Sequence, residues 1–433
     1  MNLNDKQKTE YWTQRAEQRL INAENLSEDM LKSLRTTYEE ATKQIEKEIN
    51  AFYGKYASET GLTPEDLNKR LNREELKDFK KELEKYYSEV KRLGGYNSNT
   101  KKYLRELSAR AYISRLESLQ TQIRYVLDKL GREEIIKYNE TLSKGYEETY
   151  MRATFDVQQG IGFAYSFNTL DERKVKLAIS QNWKGDNFSN RIWDDKTKLL
   201  NTIGNRIPQG ISLGQNPRKV ARLINSDMES GSGGYKSALR LARTEMNHIA
   251  NQATKDAYKE IPEILDQYKF VATLDNRTSS ICQELDGTIH YVKDAQEGIN
   301  YPNMHPNCRS TTIPYFSEMD SAEYTRIATD YSTGQAYYVP ANMSYKEWRA
   351  SLNTDQEKAF IADKKIREQH SQDKKQLSEY RKLRNYAEKN GQGELFANVP
   401  MDKIANFQTY KYTEPEKYEI LKENARIIRS EMK

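Results

Sequence analysis

Apolar residues recur along this chain at three- and four-residue steps far more often than they alternate. Residues 3–155 read as successive helices on that period. Thr63-Pro64-Glu65-Asp66 predicts a helix start, with Thr63 as cap and Pro64 at the first helical position. Asn72 followed by Glu75 predicts another. Gly94-Gly95-Tyr96-Asn97-Ser98-Asn99 marks a break. Leu104, Leu107, Ala111, Leu116, Leu119, Ile123 and Val126 predict one helix from about Thr100 to Leu130, with a further helix over about 133–158.

Residues 159–195 are mixed. Helical pattern returns at about 195–210, and Asn216-Pro217 opens a short helix through Ile224. Ser230-Gly231-Ser232-Gly233-Gly234 reads as a turn or a flexible joint. The next predicted helix, Tyr235–Glu260, lines up Ala238, Ala242, Met246, Ile249, Ala253 and Ala257, small residues that admit a close neighbour. The period then changes to that of strands, over Tyr268–Thr273, Thr288–Val292 and Arg309–Ile313, with turn chemistry at Leu274–Ser280 and Asp286-Gly287. After Phe316 the pattern predicts helix again, very polar over 354–390. Pro415 lies inside a final helix-loop-helix over Phe407–Lys433. The expected class is mainly α with a small α+β module. Three parts are expected: an extended helical region over 1–194, a central module over 195–316, and a helical, polar region over 317–433.

Composition sharpens this picture. Of 433 residues 36% are apolar and 31% charged, a low apolar share for a globular chain. Balanced charge, with 69 Lys+Arg against 64 Asp+Glu, makes no strong case for nucleic acid, and DNA enters only as a weak partner. No run of about 18 apolar residues exists, so no transmembrane helix is expected. The polar start, Met1 to Lys6, predicts no signal peptide. With little apolar material and 30 tyrosines, the chain reads as helical pieces that complete their burial against partners.

The chemistry is concentrated. Both cysteines and two of the four histidines fall in Cys282-x7-His290-x14-His305-x2-Cys308. Two thiolates and two imidazoles make a sufficient tetrahedral set for a structural Zn²⁺, in a segment with little core of its own. Two other readings of the same residues stand beside it. The cysteines can form a buried thiol pair with hydrogen-bonding histidines, or a disulfide. Catalytic zinc has no motif to support it: neither His-Glu-x2-His nor the deaminase pattern occurs. No Walker A, dinucleotide fingerprint or Gly-x-Ser-x-Gly elbow is present. Asp275 and Arg277 read as a local bridge or a helix cap, Arg243 and Glu245 as structural ion pairs.

Residues about 195–316 resemble the phage Mu F-like minor head protein family. The resemblance rests on Gly210-Ile211-Ser212-Leu213-Gly214, Ala242-Arg243-Thr244-Glu245, Asp275-Asn276-Arg277-Thr278-Ser279-Ser280-Ile281-Cys282, Leu285-Asp286-Gly287, and Pro302-x2-His305-Pro306-x-Cys308-Arg309-Ser310. Many members carry a further Cys near the first or after the Arg, where this chain has Ser280 and Ser310. The resemblance implies a non-enzymatic virion component of a tailed phage. It would sit in the head interior near the portal vertex, after assembly in the host cytoplasm. Implied partners are the portal protein and the scaffolding or major capsid protein, with no membrane before infection. Implied roles are procapsid assembly and DNA delivery. Two other readings compete: a zinc-dependent nucleic-acid-processing enzyme built on Cys282, His305 and Cys308, and a cytosolic coiled-coil adaptor.

Overall fold

The computed structural model describes residues 5–58, 61–93, 98–161, 170–315, 325–340 and 342–432. They form two compact units. The first comprises Met1–Thr273, Thr278–Arg326 and Val339–Tyr345; the second comprises Leu274–Arg277, Ile327–Tyr338 and Lys346–Lys433. As the apolar periodicity predicts, the chain is mainly helical with a few short antiparallel strands.

Two long helices carry the first unit, α1 (Asp5–Tyr56) and α5 (Arg115–Ile161). Each keeps an apolar stripe over many turns. On α1 it runs through Met30, Leu34, Tyr38, Ala41, Ile45, Ile49 and Phe52; on α5 through Leu119, Ile123, Leu130, Tyr138, Leu142, Tyr146 and Tyr150. These steps of three and four keep one face inward over many turns. Between them in sequence come α2 (Pro64–Asn68), α3 (Arg73–Leu93) and α4 (Ser98–Ser108). Thr63 is the predicted cap and forms a capping box with Asp66, and Asn72 and Glu75 exchange the same reciprocal bonds. Of the predicted break at Gly94, residues 94–97 lie outside the described residues.

After α5 come α6 (Glu172–Ser180), α7 (Phe188–Ser212), α8 (Pro217–Ser230) and α9 (Tyr235–Lys259). Helix α9 packs along α1 and α5, and its alanines let the backbones approach. A Cβ on Gly145 of α5 would stand 2.6 Å from the Met246 sulfur. In the middle of this core, Lys196 of α7 meets Glu134 of α5 at 2.8 Å, both side chains 2% exposed. The Tyr38 hydroxyl of α1 donates to the same carboxylate at 3.1 Å. Three helices are thus pinned by one satisfied polar cluster.

The helix expected over residues 100–130 is two helices. Ser114 ends the gap after α4: its hydroxyl accepts the N–H of Glu117, whose carboxylate accepts the N–H of Ser114. That capping box starts α5. Conversely, α5 runs unbroken through Gly131, where two helices were expected. The glycine is there for its neighbours: a Cβ would stand 2.9 Å from Lys196 and 3.0 Å from Trp193.

Strands β1 (Gln267–Val271), β2 (Ile289–Tyr291) and β3 (Thr311–Tyr315) form an antiparallel sheet in the order β2-β1-β3. Tyr268 pairs with His290 on one side and Pro314 on the other. Its ring packs with Trp12, Val157, Tyr258 and Ile313 at one end of the long helices. Two residues on, on the same face, Phe270 packs instead with Cys282, Met304 and Cys308. The short helix α10 (Ser280–Leu285) lies between β1 and β2 in sequence.

Helix was expected directly after Phe316. A hairpin intervenes, β4 (Thr325–Asp330) with β5 (Gln335–Pro340). Its turn closes through Gly334, at φ +73°, whose N–H donates to Asp330 O at 2.8 Å. Aromatic and β-branched residues on either side of that glycine, Thr325 and Ile327 before it and Tyr337, Tyr338 and Val339 after it, favour strand.

In the second unit, α11 (Tyr345–Ser351), whose residues from Lys346 belong here, leads into α12 (Thr354–Lys389), α13 (Ile404–Thr413) and α14 (Pro415–Glu431). Trp348 and Phe360 pack edge to face, and the Trp348 indole donates to Tyr337 at 2.7 Å. Only the later half of α12 carries a stripe, Leu377, Tyr380, Leu383 and Ala387, and it packs on Phe407, Tyr418, Leu421 and Ile428. Asp373 is sunk among Lys411, Gln408, Gln369 and Tyr412. Among the described residues no helix is long and apolar enough to cross a membrane.

Candidate metal centre

The first half of the site is built by a turn and one short helix. The Thr278 hydroxyl donates to Thr273 O, and Ser279 caps α10 by accepting the Cys282 N–H at 3.3 Å. This places Cys282 in the first turn of α10, 2% exposed. Asp275 and Arg277 bridge locally, at 3.3 Å, and Ser279 rather than either of them is the cap.

The second half is a loop held by α9. Asn303 donates to Thr244 O at 2.9 Å and accepts from Asn247 at 2.8 Å. The Asn307 N–H donates to the Thr244 hydroxyl at 3.1 Å. Asn251 reaches Ser310 O at 3.3 Å. Asn307, at φ +60°, turns the chain so that the Cys308 N–H donates to His305 O. Sequence reasoning missed this frame. The signal available was polar Thr244, Asn247 and Asn251 on the inward side of an alanine-rich helix, where buried polar groups need partners.

These two halves bring three of the four candidate ligands together. The Cys282 and Cys308 sulfurs stand 3.8 Å apart, and His305 Nε2 is 3.5 Å from Cys282. All three donor atoms lie within 4.8 Å of one another. Zinc bonds of about 2.3 Å to sulfur and about 2.0–2.1 Å to nitrogen give tetrahedral edges of about 3.8 Å and about 3.6 Å. The two edges from Cys282 therefore match those of one tetrahedral ion, and the His305–Cys308 edge lies within 4.8 Å. Nδ1 of His305 is 2.9 Å from the Pro306 carbonyl, so it carries the proton and leaves the Nε2 lone pair facing the sulfurs. No disulfide joins the cysteines; both are free and buried.

His290 is not brought into this group. The Thr288 hydroxyl donates to Leu285 O at 2.6 Å, so it accepts from His290 Nε2, 2.8 Å away. The ring packs on Tyr268, its partner across β1 and β2. Burial lowers its pKa. Strand register decides the matter: position 290 faces Tyr268, whereas the sulfurs gather beyond Phe270.

The Cys282 thiol donating to the Cys308 sulfur lowers the Cys308 pKa, against the cost of burial and with help from the N–H groups of Ser310 and Met304. The same bond pushes Cys282 up. Arg243 and Glu245 make the structural pairs expected of them, with Glu28 and Arg191, and Glu245 also accepts from the Trp183 indole.

Residues 201–313, which span the end of the helical bundle and this centre, match a family described as phage Mu protein F like protein. The resemblance read from the motifs is borne out over that segment. The chain is 24% identical to the minor head protein GP7 of Bacillus phage SPP1, over 48% of this chain and 70% of that protein. It is 29% identical to the NAD(+)–arginine ADP-ribosyltransferase EFV of Enterococcus faecalis, over 52% of this chain and 47% of that enzyme. The chain thus spans about half the length of that enzyme. No solved structure matches it.

Proposed function

We propose that this chain is a structural, non-enzymatic minor protein of a tailed-phage head. In this reading it resides in the virion, associates with the portal from the head interior, and assists procapsid assembly and DNA delivery. The observation that carries the reading is the phage Mu F-like segment over 201–313, and the similarity of the chain to a minor head protein supports it. Two relatives with different printed roles match similar shares of this chain. A shared structural module accounts for that more simply than a shared reaction.

The Cys282/His305/Cys308 group belongs to this reading as a Zn²⁺ staple. It joins α10 to the 303–310 loop where the local core, among the described residues, is Phe270, Ala272, Met304 and part of Leu285. A zinc-dependent nucleic-acid-processing enzyme is not favoured, because the three donors are backed by these apolar side chains rather than by a candidate general base.

The test is assembly. Purified chain mixed with portal oligomers co-sediments with them, and head particles from a phage lacking the gene fail to infect at the normal rate. Particles that infect normally without the protein would overturn the proposal.

A further inference from the structure

Helices α1 and α3 both lie on α5 but leave a cleft between them. The α1 stripe packs on α5 through Ala41, Ile45 and Ile49. Helix α3 packs through Phe79, Leu83 and Tyr86 with side chains of α4, and the Tyr86 ring meets Tyr125 of α5 edge to face. The space left is about 490 Å³, in the range of about 300–1,000 Å³ typical of binding clefts. Its floor is apolar, made by Ala41, Phe79, Leu83, Val126 and Leu130. Its rim is acidic: Glu40 and Glu48 stand on α1, Glu82 on α3 and Glu133 on α5, against Lys85 and Lys129. This negative rim belongs to a chain of net charge +5.

The donors that reach Glu48 and Glu82 are the uncharged amides of Gln44 and Gln122. Burial, together with the Glu82 carboxylate on the other wall, holds the Glu48 carboxyl above its ordinary value, against the bond from Gln44. Like charges are thus gathered over an apolar floor, and an arriving cation relieves their repulsion. The spacing of the rim says how such cations are carried. Glu40, Gln44 and Glu48 follow one another at steps of four along α1, so the two carboxylates stand two turns, about 12 Å, apart. Lys or Arg residues at i and i+7 or i+8 of a second helix have the same separation. The cleft holds side chains rather than a helix about 10 Å across, so that helix lies along the mouth.

We propose that this cleft docks an amphipathic helix of a partner protein, one carrying Lys or Arg at two-turn spacing beside apolar residues. The cations meet Glu40, Glu48 and Glu82, and the apolar side chains enter over Val126 and Leu130. Charge supplies selection and speed of encounter, and the floor supplies burial. Every residue lining the cleft precedes the segment 201–313 matched by the family, so this surface is separate from the metal centre.

The probes are fluorescein-labelled helical peptides of about 18 residues, with Lys at i, i+4 and i+8 flanking Leu, Ile or Phe. Anisotropy with the full-length protein is expected to show saturable binding that weakens about tenfold as salt rises from about 50 mM to about 300 mM. Glu40→Gln with Glu48→Gln and Glu82→Gln is expected to weaken it about tenfold or more. Neutralising three exposed carboxylates elsewhere, Glu24→Gln with Glu172→Gln and Glu423→Gln, is expected to change it by less than about twofold. Circular dichroism verifies that both variants fold. The proposal is wrong if no peptide of the set binds, if the same peptides with Glu for Lys bind as well, or if the two triple variants lose affinity alike. Self-association of the wild type that the cleft variant loses, read by sedimentation, would give the cleft to a second copy and overturn the partner reading.

Discussion

Asp286 and Arg326 form a pair closed off from solvent, at 2.9 Å, with side chains 0% and 5% exposed. The carboxylate also accepts the N–H groups of Ala272 and Tyr345 at 2.7 Å each. Arg326 donates in turn to Ala272 O and Met343 O. One carboxylate therefore gathers the end of β1, the end of α10, the start of β4 and the start of α11. Asp286→Ala leaves a buried guanidinium and two N–H groups without their acceptor. It should cost about 3–5 kcal/mol of stability, read from chemical denaturation. A loss under about 1 kcal/mol would mean that the pair is not closed off in solution.

The Lys196–Glu134 pair tests the bundle core. Lys196→Met alone strands a buried carboxylate and should also cost about 3–5 kcal/mol. The double variant Lys196→Met with Glu134→Leu should recover most of that loss, since apolar replacement of a buried pair is often neutral or better. A double variant as weak as the single one would show that packing, not charge, was damaged.

Metal content separates the cysteines and His305 from His290. Cys308→Ala should abolish stoichiometric zinc and raise hydrogen exchange across residues 268–315. His290→Ala should keep the zinc. Equal zinc in the Cys308→Ala and wild-type proteins would dismiss the metal centre, and zinc lost in the His290→Ala protein would restore the four-residue set expected from spacing.

Asp373 should make the second unit acid-sensitive. Burial pushes its pKa up, but bonds from Lys411, Gln408, Gln369 and Tyr412 together hold it below the ordinary value of 3.8. A carboxylate whose folded pKa is depressed stabilises the fold above its unfolded pKa, and the gain is lost as pH falls through the folded value. Hydrogen exchange of peptides around 369–418 in the full chain should be flat from about pH 7 down to about pH 4, after correction for intrinsic rates, then rise. In Asp373→Asn the exchange should be faster at pH 7, and the acid-dependent part should be gone. Identical profiles would show that Asp373 contributes no linkage.

Much of this was legible from local rules. The caps at Thr63 and Asn72 and the alanine face of α9 stand where the sequence puts them. So do the three strands around the cysteines, to within two residues at their ends. What escaped was whatever depends on a distant neighbour. Gly131 looks like a helix end in one dimension, yet it is a cleft for Trp193 and Lys196. Asp286-Gly287 reads as a turn and is one, but the Asp286 carboxylate works on Arg326, 40 residues away. Spacing grouped His290 with the cysteines, and only strand register shows that it faces Tyr268. The Ser114–Glu117 box was within reach, but the apolar stripe through Leu107, Ala111 and Leu116 masked it.

Helix α1 also has a mechanical meaning. Trp12 and Ala16 sit in the cluster with the sheet, whereas Phe52 and Tyr53 sit in the main bundle core. The 40 residues from Trp12 to Phe52 span about 60 Å of unbroken helix. Helix α5 runs beside α1, so the rod is double. Such a beam acts as a lever: tilting it by about 5° about the sheet end carries the Phe52 end through about 5 Å. A push taken up at the sheet would therefore be felt, enlarged, at the opposite end of the helical bundle.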